Sequence, residues 1–286
     1  MRHPAKRPSW SALGAGLVFC PLALMSSCAA AQDSTSILDR ASVRLGGYYA
    51  NVDTDVGVSD PSDTLSGHIN LEDDLGFDQN KTVPRVRADF LFGEHQGLAL
   101  DYYSIDRSSH QVLARDLSYD GVDYSANADV RAKLDFDFGS VAWRWWFGQG
   151  NDAYGIGLGA GWYRVKTALA GDGAYDPGAG GAQPVSVASA SNDSAWAPML
   201  QLGWRHAFND NWRLYLDASG VRKNGGRISG HIYNAAFGVE WLPWERLGFG
   251  LEYGYSQIKL HWNRSAYDAD LDMTLSGPSA FVKLRW

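Results

Sequence analysis

Arg85, Arg87, Asp89, Asp101, Arg144, Arg205, Arg213, Asp217, Glu240, Glu252, Lys283 and Arg285 stand at alternate positions of segments whose other positions are apolar or aromatic. Successive side chains of an extended chain point to opposite faces, so this spacing gathers charge of both signs on one face and apolar surface on the other. Such a face can do one of two things. Paired groups satisfy one another through charge-assisted, often bidentate hydrogen bonds. Held apart around a hollow, the basic groups would instead favour small anions. A salt-bridged, occluded interior is the expectation, and a narrow passive channel for small solutes is the alternative.

Other residue sets are less able to carry chemistry. His231 and His261, with Asp268, Asp270 and Asp272 nearby, could form an oriented acid–base pair at an outer rim, as a hydrolase needs. No serine or paired-aspartate motif accompanies them, so catalysis is not expected. Glu72, Asp73, Asp74 and Asp78 cluster around Leu71, Leu75, Gly76 and Phe77, but lack the regular ligand spacing of a calcium loop. A hydrated acidic loop with Leu75 or Phe77 packed on a rim is expected there. The glycine-rich run 171–181 has no lysine and no strand–helix context, so it is not a phosphate cradle. No catalytic, cofactor or metal residues are assigned.

Strands must position the charged face. Over 153–165, Tyr154, Ile156, Leu158, Ala160 and Trp162 share one parity, and Gly155, Gly157, Gly159 and Gly161 the other. Segments at 195–208, 212–220, 233–241 and 249–256 repeat the alternation. Val43, Leu45, Gly47 and Tyr49 make a first strand, with noisier ones around Val86 to Phe92 and Leu98 to Tyr103. Near 134–147 the apolar parity changes from even (Leu134, Phe136, Phe138) to odd (Val141, Trp143, Trp145, Phe147). Either a β-bulge at Gly139 and Ser140 reconciles them, or the earlier residues rise above a bilayer, where the lipid constraint lapses.

Short turns near 93–97, 148–152, 209–211 and 243–246 interleave with long polar stretches at 55–81, 107–127, 167–194, 222–230 and 261–272. Four turns and five loops join ten strands. The reading is an all-β transmembrane antiparallel up-and-down β-barrel, with both termini on the short-turn side. Tyr154, Trp162, Trp196, Trp204, Trp212, Tyr233 and Trp241 are the expected lipid-facing girdle. Tyr154 and Trp162 are separated by roughly 20 Å along the membrane normal at the usual rise and tilt.

Composition agrees. The 286 residues include 32 Gly, 12 Trp and 14 Tyr, which suits one barrel better than helical bundles. A net charge of −7 argues against nucleic acid as a partner. Residues 1–31 read as a cleaved secretory signal peptide: Arg2, Lys6 and Arg7, an apolar run, then Ala29 and Ala31. A lipoprotein leader ending at Cys28 is the rival. Cys20 and Cys28 both fall in this leader, so the mature chain would have no thiol. Residues 32–40 are a short periplasmic segment and 41–286 the barrel. No apolar run outside the leader approaches the roughly 20 residues of a membrane helix.

The last strand has Val282, Leu284 and Trp286 on one face and Phe281, Lys283 and Arg285 on the other. That pattern resembles the closing strand of bacterial outer-membrane barrels, where it acts as the assembly signal. The run Ile-Asn-Leu-Glu-Asp-Asp-Leu-Gly-Phe-Asp at 69–78, Val83-Pro84-Arg85, the 101–107 segment and Trp241-Leu242-Pro243-Trp244-Glu245 resemble a group of uncharacterised proteobacterial outer-membrane β-barrel proteins. The resemblance implies the barrel, residence in the outer membrane and the absence of known catalytic residues. Outer-membrane lipid, lipopolysaccharide and the barrel-assembly machinery are the expected partners of a protein in that place. The resemblance brings no ligand, reaction or oligomeric state. The chain is thus expected to be a structural or cell-surface-interacting barrel.

Overall fold

The computed structural model describes residues 37–59, 66–112, 117–119, 122–124, 129–148, 150–175, 183–226, 228–263 and 268–286. The leader read at 1–31 lies outside the described residues.

Ten long strands form the wall: β1 (Ala41–Ser59), β3 (Asn80–Phe92), β4 (Gln96–Val112), β7 (Asp129–Phe147), β8 (Asp152–Tyr175), β9 (Gln183–Ala207), β10 (Trp212–Lys223), β11 (Ile228–Trp241), β12 (Leu247–Asn263) and β13 (Asp268–Arg285). Three short ones, β2 (Ser66–Asn70), β5 (Leu117–Tyr119) and β6 (Val122–Tyr124), decorate the long-loop end. Each wall strand pairs antiparallel with its neighbours in sequence. The ring closes where β1 meets β13, with Val43 opposite Leu284 and Leu45 opposite Val282. Trp286 and Ala41 complete that seam with two backbone hydrogen bonds, of 2.9 and 3.2 Å. Closure leaves the wall without an open edge, which a sheet crossing lipid requires.

The outward face of the span is apolar. Leu158, Leu202 and Leu251 are 58%, 50% and 64% exposed, while Arg205 and Glu252 are 3% and 5% exposed. Exposed leucine and buried arginine invert the arrangement of a water-soluble protein, and lipid is the solvent that permits it.

Of the two readings of the parity change at 134–147, the rise above the bilayer holds and the bulge does not, and the long polar stretches need correction. The strand β7 has no bulge: Gly139 lies opposite both Tyr102 and Trp162, Ser140 opposite Asp101 and Gly161, and the register is continuous on both sides. Leu134, Phe136 and Phe138 point inward and are 2%, 0% and 0% exposed, while Val141, Trp143, Trp145 and Phe147 face out. The apolar parity switches because the environment switches. Within the bilayer the outside is apolar; above it the outside meets water and the inside becomes the dry side. For the same reason most of the long polar stretches are strands rather than loops. The hairpin of β8 and β9 continues in register to Tyr175 and Gln183, well beyond the roughly 9–11 residues a bilayer requires. Its backbone groups find their partners across the ladder.

Candidate functional site

The interior is built in two tiers. The lower one, toward the short turns, is charged. It holds the cations Arg44, Arg85, Arg87, Arg144, Arg205, Arg213, Lys283 and Arg285 and the carboxylates Asp39, Asp89, Asp101, Asp217, Glu240 and Glu252, so eight positive groups meet six negative ones. All twelve charged residues picked out by their alternation lie here. Arg85 grips Asp101 through Nε at 2.9 Å and through Nη2, and Arg87 pairs with Glu252, which also accepts a hydrogen bond from the Tyr215 hydroxyl. Arg205 Nη2 donates to both oxygens of Asp217 at 2.9 Å. Arg144 approaches the same carboxylate at 3.5 Å and Asp89 at 3.6 Å, and donates to Gln201 Oε1 at 2.8 Å. Glu240, fully buried, receives Lys283 at 2.8 Å and Arg213 at 3.4 Å, with the Arg44 guanidinium 3.7 Å away.

Aromatic rings fill the space between these pairs. Arg144 and Arg205 each lie 5.2 Å from the Trp146 ring centroid, and Arg44 lies 5.0 Å from that of Tyr215. Trp146 fits because inward glycines face it. A Cβ on Gly155 or on Gly203 would come within 2.9 Å of its ring. Two cavities in this tier measure about 30 and 40 Å³, room for at most a few water molecules.

Sequence reading missed two members of this tier. Arg44 has the inward parity of the first strand and was legible; it touches Glu240, Asp89 and Asp217. Asp39 precedes the first strand, so no alternation marks it. It enters the short-turn mouth and binds Lys283 at 2.6 Å, Arg213 at 3.1 Å and Arg285 at 3.1 Å. Burial by itself would raise the Asp39 carboxyl, but the charges of Lys283 and Arg213 outweigh it and hold the group well below the usual carboxylate range.

The upper tier is apolar. Phe136, Phe138, Tyr163, Val165, Met199, Val221, Ile232, Ile258, Met273 and Leu275 form one buried cluster across the barrel. Polar groups mark the boundary between tiers: Tyr103 donates to Asn234 Oδ1 at 3.2 Å and stacks on Phe138 at 5.1 Å, and Ser256 donates to the same amide oxygen at 2.7 Å.

The first loop closes the top. Ile69, Leu71, Leu75 and Phe77 are buried in the cluster, so both Leu75 and Phe77 pack inward. Gly76 turns the loop at φ +63°, a conformation that favours glycine. The loop is not simply a hydrated acidic segment. Glu72 is buried, meets Arg107 at 2.6 Å and accepts a hydrogen bond from the Thr54 backbone N–H at 2.8 Å. Arg107 in turn donates to Thr54 Oγ1 and to the Asp78 carbonyl, each at 2.8 Å, and lies over Phe77. Arg107, which the sequence places in a long polar stretch, lies in β4.

The girdle aromatics face outward: Tyr154, Trp196, Trp212, Tyr233 and Trp241 are exposed, and Trp162 and Trp204 half-buried. Val282 and Leu284 face out from β13, and Trp286 is exposed at its end. The His231 ring packs tilted against that of Tyr233, with ring centroids 4.8 Å apart. His261 Nδ1 meets Asp270 Oδ1 at 2.7 Å on the exposed outer face, and Asp272 pairs with Lys259 at 2.6 Å. Asp268 lies opposite Asn263, away from His231. Among the described residues no group of three or more His, Cys, Asp or Glu side chains could hold a metal ion.

A closed ten-stranded wall with an apolar outside and a filled interior defines an outer-membrane-type β-barrel. No protein-family profile and no curated protein matches the chain. Solved structures do. The chain is similar to the outer membrane protease OmpT from Escherichia coli at 12% identity and a TM-score of 0.53, with 88% of this chain and 100% of that one covered. It is also similar to the outer membrane protein OprG from Pseudomonas aeruginosa at 10% identity, 85% and 96% coverage and a TM-score of 0.39. The toluene transporter TodX of Pseudomonas putida aligns at 9% identity, 87% and 90% coverage and a TM-score of 0.32. At these identities the likeness is one of fold.

Proposed function

We propose that this protein is a non-conducting outer-membrane barrel that serves a structural or surface-interacting role. The observation that carries this reading is the two-tier interior. A solute entering from the short-turn side would meet paired charges, and beyond them an apolar cluster capped by the first loop. Transfer of a hydrated ion through such a cluster is strongly unfavourable. The net positive lower tier favours the second reading, a narrow pathway selective for small anions. Hydrolysis at the outer rim has less support, because the His261–Asp270 pair lies on an exposed outer wall rather than in a cleft.

Reconstitution of the wild-type protein into planar bilayers separates the first two readings. Absence of stepwise currents is expected. Steady currents that change size or selectivity on Arg144→Gln would instead establish the channel.

A further inference from the structure

The charges of the lower tier do not balance where they are packed. Arg85 with Asp101 and Arg87 with Glu252 are matched one to one. The other six cations, Arg44, Arg144, Arg205, Arg213, Lys283 and Arg285, share four carboxylates, Asp39, Asp89, Asp217 and Glu240. Both surplus charges therefore belong to one cluster. Water at the short-turn mouth can serve Arg285. Arg44, Arg144 and Arg205 lie deeper, each more than nine-tenths buried, and these three guanidiniums gather on the two carboxylates Asp89 and Asp217. Arginine does not shed its proton in a protein, so the surplus persists. Proton loss by Lys283 would remove one charge and leave the other.

The contacts show the same shortage. Arg205 holds Asp217 at 2.9 Å, but Arg144 reaches Asp217 and Asp89 only at 3.5 and 3.6 Å, and Arg44 reaches Asp217 and Glu240 only at 3.6 and 3.7 Å. Arg44 Nε and Nη1 and Arg144 Nε, all buried, have no hydrogen-bond acceptor among the described residues. Buried charged donors left in that condition are costly. Trp146 covers Arg144 and Arg205 at 5.2 Å, so the N–H edges of these groups are what a ligand can reach. Arg44, Arg144, Arg205, Arg213 and Lys283 all line the 30 Å³ cavity, against Asp39 and Asp89.

We infer that this cavity is a binding site for one dehydrated halide, chloride in ordinary salt. The anion accepts charge-assisted hydrogen bonds from Arg44 and Arg144 and offsets the buried surplus. A halide is close to water in size and fits a cavity of this volume, whereas sulfate, with four oxygens, exceeds it. The wider cleft outside, about 410 Å³ beside Leu38, Arg40, Arg285 and Trp286, would take either ion. The site does not depend on whether the lumen conducts.

The test uses the full mature protein in detergent micelles, with bromide as the probe. Crystals grown in sodium bromide are expected to show one anomalous-scattering peak inside the cavity, retained when sulfate is added at equal concentration and lost in Arg144→Gln. In solution, the urea midpoint of wild type should rise with the logarithm of chloride concentration when chloride replaces gluconate at constant ionic strength. Arg144→Gln should need at least about tenfold more chloride for the same rise. Asp89→Asn removes an opposing charge and should need about tenfold less; it carries the test if Arg144→Gln fails to fold. Arg85→Gln/Asp101→Asn, a matched pair outside the cavity, should shift the requirement by less than about twofold. A cavity without a bromide peak, a peak confined to the cleft beside Arg285, or displacement by sulfate overturns the proposal. So does one chloride dependence common to wild type, Arg144→Gln and Asp89→Asn, which is a general salt effect. Currents in planar bilayers would count against the occluded lumen alone and leave the bromide result to decide the halide site.

Discussion

Below the level of Trp162 the charged side chains of the wall point inward and the large apolar ones outward; above that level, along the same unbroken strands, the large apolar ones point inward, with the Arg107–Glu72 pair as the buried charge among them. β7 carries both states, with Arg144 and Trp146 inside the span and Phe136 and Phe138 inside its extension. The tiers differ in what they contribute. Buried ion pairs recover the cost of their own desolvation only when every partner is present, so the lower tier fixes register more than it adds stability. The upper tier gains from each apolar group removed from water.

The contrast can be broken from either side. The largest effect is expected at Glu240. Glu240→Ala leaves Lys283, Arg213 and Arg44 short of a partner in a buried setting and should cost about 3–5 kcal/mol in urea unfolding from micelles. A loss below about 1 kcal/mol would mean that water already screens the lower tier. In the upper tier, Met273→Ala should cost about 3 kcal/mol through lost burial and the cavity left behind, with no change in the acid limb of stability.

The smallest effect is at the short-turn mouth. The folded-state pKa of Asp39 is depressed. Its stabilisation is therefore complete above the unfolded value, about 3.9, and is lost as pH falls below it toward the folded pKa. Asp39→Asn should be less stable than wild type at neutral pH, and the gap should narrow as pH drops below about 4. A gap that stays constant with pH would remove the charge contribution.

How much was legible in the sequence follows from the same contrast. Tyr154 to Trp162 against the intervening glycines could be read directly, because lipid on one side and a crowded interior on the other both constrain residue type. Above the bilayer the alternation persists with its sign reversed. Leu134, Phe136 and Phe138 therefore read equally as a bulged strand or as residues above the bilayer, of which the second holds, and the β8–β9 extension reads as a loop. Arg44 was readable by parity beside Leu45. Asp39 was not, since it lies outside any strand and its role depends on Lys283 and Arg285 from the far end of the chain. Burial of Glu72 depended equally on a distant partner, Arg107.

The proposed occlusion assigns the seal to the apolar tier, and ion flux into dye-loaded liposomes tests this most directly in two paired variants. With Phe136→Ala/Phe138→Ala, flux should rise above that of wild type, which is expected to be silent, and favour anions, because the lower tier carries net positive charge. With Arg144→Gln/Asp217→Asn, which loosens the charged tier and leaves the cluster intact, the liposomes should remain tight. Flux through the second variant, or through wild type, would contradict an apolar seal.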